Sequence, residues 1–132
     1  MRAIALVLPA LVALSGCSED PTSCGNDIIR RIVAPGGQHS VVIFQRDCGA
    51  TTGFSTQVSI LGPRDRLEGA GNAYRADDDH GAAAAGSWGG PWVEAQWIAP
   101  NQLLIRIAAK SRMFAQNTSV SGVRITYQTV NR

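Results

Sequence analysis

The sequence predicts an all-β fold: one small antiparallel sandwich or bent meander of six to seven strands, following a cleaved signal peptide. Three observations carry this. Apolar and polar residues alternate over short runs, most cleanly from Phe54 to Ile60, and a period of two marks a strand with one buried face. Clusters of Gly, Pro and Asn separate these runs at short intervals, which is the punctuation of an all-β chain. No stretch carries a heptad or a long amphipathic helical pattern, and no internal repeat of a solenoid kind is present.

The chain of 132 residues opens with Met1-Arg2 and an apolar run from Ala3 to Leu14. One positive charge ahead of a short hydrophobic region is secretory signal architecture. The run falls short of the ~20 apolar residues that a membrane-crossing helix needs. It ends Leu14-Ser15-Gly16-Cys17, which resembles the lipobox of bacterial lipoproteins. That resemblance implies that Cys17 is lipidated and becomes the new N-terminus, with more than one acyl chain for a stable anchor. Ser18 stands where Asp resembles an inner-membrane retention signal, so the expected location is the outer membrane, facing the periplasm. The expected organisation is a signal peptide over residues 1–16, a lipidated cysteine and polar tether over 17–26, and a single β domain over 27–132.

Within that domain, Ile28 to Val33 reads as a short strand, and Ala34-Pro35-Gly36-Gly37-Gln38 as the turn that reverses it. Val41 to Gln45 is a β-branched, apolar run that suits a strand buried on both faces. Asp47 to Gly53 is a glycine- and threonine-containing loop. The strand after it places Phe54, Thr56, Val58 and Ile60 on the buried side and Ser55, Gln57 and Ser59 towards water. Ile28 to Leu61 is therefore expected to be a three-stranded meander. Tyr74 lies in a short strand candidate, and Ala82 to Ala85, flanked by glycines, reads as a loop or a single helical turn. Trp92 to Ile98 and Leu103 to Ala108 form a hairpin about Pro100-Asn101, with Trp97 facing the core. Ala109 to Ser119 reads as a polar loop, and Val123 to Gln128 as the last strand.

The full chain has 12 Lys and Arg against 10 Asp and Glu. Arg2 leaves with the signal, so the balance is close to neutral and gives no footprint for nucleic acid. Arg30-Arg31 and Lys110–Arg112 read as solvated strand faces rather than phosphate sites. Once Cys17 is lipidated, Cys24 and Cys48 remain, and two leftover cysteines in an exported chain are expected to pair. The bond is worth about 3 kcal/mol on a chain-entropy argument.

Phe44 to Ile60, FQRDCGATTGFSTQVSI, together with WGGPWVEAQW from Trp88 to Trp97, resembles a family of small bacterial exported proteins and lipoproteins that carry a domain of unknown function. The resemblance implies one β-rich domain and brings no reaction, cofactor or partner.

Candidate sites are few. Asp47, Thr51 and Thr52 line a loop stapled by Cys48, and loops on rigid scaffolds carry function. Arg46 and Asp47 pairing with each other is the plainer reading of that loop. Trp88 and Trp92, beside Gly89-Gly90-Pro91, offer an aromatic platform for a glycan, peptide or protein; rings that fill the core are the plainer reading. Asp77, Asp78, Asp79 and His80 are weak metal candidates, lacking the alternate spacing of a calcium loop. A triad can be written from Ser40, His39 and Asp47, without a nucleophile elbow to support it. The expected function is a non-enzymatic envelope lipoprotein, without cofactor, that contacts a protein or the cell wall through the Cys48–Gly53 and Ala82–Pro91 loops. The alternatives are an inhibitor or immunity-type lipoprotein against an envelope-attacking enzyme, and a metal-dependent hydrolase.

Overall fold

The computed structural model describes residues 24–49 and 54–132. The signal segment, Cys17, Thr51 and Thr52 lie outside the described residues. The strands are β1 (Gly25–Val33), β2 (Ser40–Asp47), β3 (Ser55–Leu61), β4 (Tyr74–Asp77), β5 (Val93–Ala99), β6 (Gln102–Ala108), β7 (Arg112–Gln116), β8 (Ser119–Val120) and β9 (Val123–Val130). They form two sheets, in the orders β1-β2-β3-β4-β7 and β5-β6-β9-β8.

The sheets pack face to face because each presents one apolar face. Val41, Ile43, Val58, Ile60, Tyr74 and Ala76 of the first meet Val93, Ala95, Leu103, Ile105, Ile107, Val123 and Ile125 of the second. The predicted meander is present: β1 pairs β2, and β2 pairs β3, both antiparallel. The hairpin of β5 and β6 is present as well.

The strands number nine among the described residues rather than six or seven, because β7 and β8 arise within the stretch read as a polar loop. After β6 the chain crosses to the first sheet as β7, then returns as β8 and β9. That excursion lets β9 lie parallel to β6, while every other strand pair is antiparallel.

Two further expectations fail at β3. Its polar face is buried: Gln57 and Ser59 are covered, not solvated. The connection between β3 and β4 folds back across this outer face, and Leu67 packs on Val42, Phe44 and Leu61 as a second small core. The Gly71 and Asn72 backbone N–H groups donate to the side chains of Gln57 (2.7 Å) and Ser59 (3.2 Å). The Asn72 amide bonds both backbone groups of Ile60. These partners offset the cost of burying polar side chains. Phe54, expected on the buried side, is 58 % exposed, because it precedes β3 and has no opposing sheet above it.

Cys24 and Cys48 are bonded, with 4.1 Å between their Cα atoms. The disulfide joins the residue before β1 to the residue after β2.

Candidate functional site

β1 is an edge of the first sheet and β5 an edge of the second. The two edges lie side by side along one flank of the sandwich. Between them runs a cleft of about 540 Å³, lined among others by Arg30, Trp88, Trp92, Glu94, Arg106 and Arg132. It continues into a more open groove of similar volume, which shares Arg30 and Glu94 and ends at Trp97. There the Trp97 indole N–H donates to the Ile32 carbonyl at 3.0 Å, tying the two edges together. Trp97, expected in the core, packs against it but stays half-buried at the rim, where its indole makes this tie.

The loop before β5 is built around Trp88. Its indole N–H donates to the Thr56 hydroxyl at 2.8 Å, and that hydroxyl donates to the Pro91 carbonyl at 2.7 Å. Gly86 and Gly90 flank the ring. A Cβ on Gly86 would stand 2.3 Å from the indole, and one on Gly90 would stand 2.6 Å from the Thr56 hydroxyl. Only glycine allows so close an approach. Backbone bonds between Gly86 and Gly90, and from Trp92 to Ala84, close the loop as a tight reversal rather than a helical turn. Trp88 and Trp92 are thus fixed, half-buried, at one end of the cleft.

Charge enters from three separate elements. Arg30 comes from β1, Arg106 from β6 and Arg132 from beyond β9. The Arg132 guanidinium sits over the Trp92 ring at 4.3 Å, a cation–π contact. Glu94 and Arg106 are direct cross-strand partners, yet the nearest Arg106 nitrogen is 3.8 Å from the carboxylate. The Arg106 Nε is buried and has no hydrogen-bond partner among the described residues. Of these six residues, sequence reasoning found only the tryptophans. The Glu94–Arg106 pair could have been found by registering the hairpin strands; Arg132 had no local signal.

Among the described residues, the remaining candidates do not line this cleft. Asp47 accepts a bond from the Gly49 backbone N–H at 2.9 Å, and Arg46 donates to Asn26 Oδ1 at 2.7 Å. The expected pairing of Arg46 with Asp47 is therefore replaced by a cross-strand bond from Arg46 and a local one to Asp47. Ser40 opens β2 and Asp47 closes it, seven residue steps or roughly 23 Å apart at strand spacing. His39 is engaged with the Ser121 carbonyl at 3.2 Å. No triad assembles from these three.

The acidic run closes β4 and turns at Asp79 and His80. Asp77 forms a forked pair with Arg112, which holds its carboxyl below the usual carboxylate range against the opposing effect of burial. Asp79 and His80 have left-handed backbone and are exposed. Among the described residues no three His, Cys, Asp or Glu side chains gather to hold an ion.

No protein-family model, no curated protein and no solved structure matches this chain.

Proposed function

We propose that this chain is a lipid-anchored protein of the bacterial outer membrane, facing the periplasm. Its β domain is a non-enzymatic binding module, and the cleft between β1 and β5 is its contact surface. The observation that carries the reading is the convergence of half-buried tryptophans and under-compensated arginines at the open flank of a rigid sandwich. Ligand sites combine apolar walls with a few placed polar groups in volumes of about 300–1,000 Å³, and this cleft has that make-up. The anchor rests on Arg2, the apolar run from Ala3 to Leu14, and the Leu14–Cys17 motif. The non-enzymatic reading is supported by the length of β2, which separates Asp47 from Ser40 and its neighbour His39.

Two experiments test it. Cys17→Ala should abolish lipidation and shift the protein out of the membrane fraction; unchanged processing and partitioning would refute the anchor. A photo-crosslinking residue at Gln96, on the groove lip, should trap an occupant in cells, whereas one at exposed Gln116 at the end of β7 should not. Equal trapping at both positions, or none at either, would refute the cleft.

A further inference from the structure

The cleft differs in its charge from the hollow beside β3. The hollow beside β3 sets Arg64 and Arg66 against Asp65 and Glu68, so its charges answer one another. In the cleft three guanidinium groups meet a single carboxylate side chain. That carboxylate stays 3.8 Å from Arg106, beyond hydrogen-bond reach. Arg30 has no ion pair among the described residues. A buried guanidinium N–H without a partner is costly, and Arg106 Nε is such a group. Planar guanidinium forks match carboxylate and phosphate oxygens. Arg106 shares its charge with Glu94 across that gap and its Nε is closed off, so an anion in the cleft would meet exposed Arg30 and the solvent-facing end of the Arg106 guanidinium.

The walls restrict what carries that anion. Trp88 lines the cleft, as does Trp92, one face of whose ring is covered by Arg132; open indole surface packs against the C–H face of a sugar ring. Addition of a peptide strand to either edge is disfavoured. β1 is interrupted by a bulge between Ile28 and Arg30 and carries Arg30 and Arg31, and its Ile32 carbonyl is already taken by Trp97. β5 has its own bulge between Trp97 and Ala99. Bulges and charges are the devices that keep an edge from templating another strand.

Resting on the cleft reading above, we infer that the ligand is an anionic saccharide, with its sugar rings on Trp88 and Trp92 and its acidic group between Arg30 and Arg106. The same chemistry occurs in carboxylated wall glycan and in phosphorylated lipid headgroups. The test uses the full lipoprotein in detergent and three probes: N-acetylglucosaminyl-N-acetylmuramic acid, glucosamine disaccharide bisphosphate, and neutral diacetylchitobiose. Binding is read by tryptophan fluorescence and calorimetry. One anionic probe should bind at least tenfold more tightly than chitobiose, and which one names the source. Arg30→Gln and Arg106→Gln should each weaken it at least fivefold with unchanged thermal melting. Equal binding of chitobiose, or binding indifferent to both substitutions, would overturn the inference. So would no binding of either anionic probe. If a crosslinker at Gln96 still traps an occupant in that case, only the ligand class is wrong; if it traps nothing, the cleft reading falls as well.

Discussion

Thr56→Val tests whether one buried hydroxyl holds the cleft together. Thr56 is fully buried in β3, and its hydroxyl bridges the Trp88 indole and the Pro91 carbonyl. Valine keeps the β-branched shape and fits the same space, so packing is nearly unchanged. The buried Pro91 carbonyl loses its donor, at a cost of about 1–3 kcal/mol. The Trp88 N–H loses its acceptor but is only half-buried, so it recovers part of its loss from water. The net expectation is a destabilisation of about 2–3 kcal/mol. At ~4–8 °C per kcal/mol for a domain of this size, melting falls by roughly 10–20 °C. Urea unfolding followed by circular dichroism gives the free energy. Native-state fluorescence reports the second consequence, a red shift as the Trp88 loop loosens. Thr126→Val is the control: its exposed hydroxyl makes only a 3.5 Å contact with the Leu103 carbonyl. If Thr56→Val is no more destabilising than Thr126→Val, the loop is held by other means and the reasoning fails.

Replacing Cys24 and Cys48 together with Ser should cost about 3 kcal/mol, given their separation of 24 residues; calorimetry with and without reductant checks this, and an unchanged melting temperature refutes it. Asp77 has a depressed native pKa because of Arg112, so its stabilisation is present above the unfolded value of ~3.9 and is lost as pH falls through the lower native value. The urea midpoints of the wild type and Asp77→Asn should therefore differ at neutral pH and converge near pH 3 or below; an equal gap at both pH values speaks against the pair. Burial pushes the Tyr74 hydroxyl up to about 12 and raises Tyr127 as well. Stability should then hold up to about pH 10, the unfolded value, and decline as pH climbs further. Tyr74→Phe should soften that decline in a titration of circular dichroism, and an identical alkaline midpoint would count against it.

The parts of this fold legible in the sequence are those whose burial is decided locally. Val41 to Phe44 is apolar on both sides, and both sides are covered. The β5–β6 hairpin is written in its alternation and its Pro100-Asn101 turn. Gln57 and Ser59 read as a water-facing row because nothing near them says otherwise; the segment that covers them comes from beyond the next turn, anchored by Leu67, Gly71 and Asn72. β7 escaped notice for the opposite reason. It is an edge strand whose residues are mostly exposed, so no periodicity marks it, and its ladder with β4 is non-local. The same division holds at the cleft. Its tryptophans announce themselves by type and by their glycines. Its arginines do not, since Arg30, Arg106 and Arg132 lie on three separate elements and meet only when the two sheet edges are brought together.

The disulfide also decides how the domain bears force. An edge strand pulled from its end unzips one hydrogen-bonded pair at a time, which is the weakest way to load a sheet. Tension arriving through the segment ahead of β1 reaches Cys24 first, and there the covalent bond passes it to Cys48 at the far end of β2. β2 is hydrogen-bonded on both sides and covered on both faces, so pulling it out must shear two ladders at once and open two hydrophobic cores. A domain dragged by its leading end is therefore gripped at its centre as well as at its edge, and β1 shares the load with β2 rather than bearing it alone.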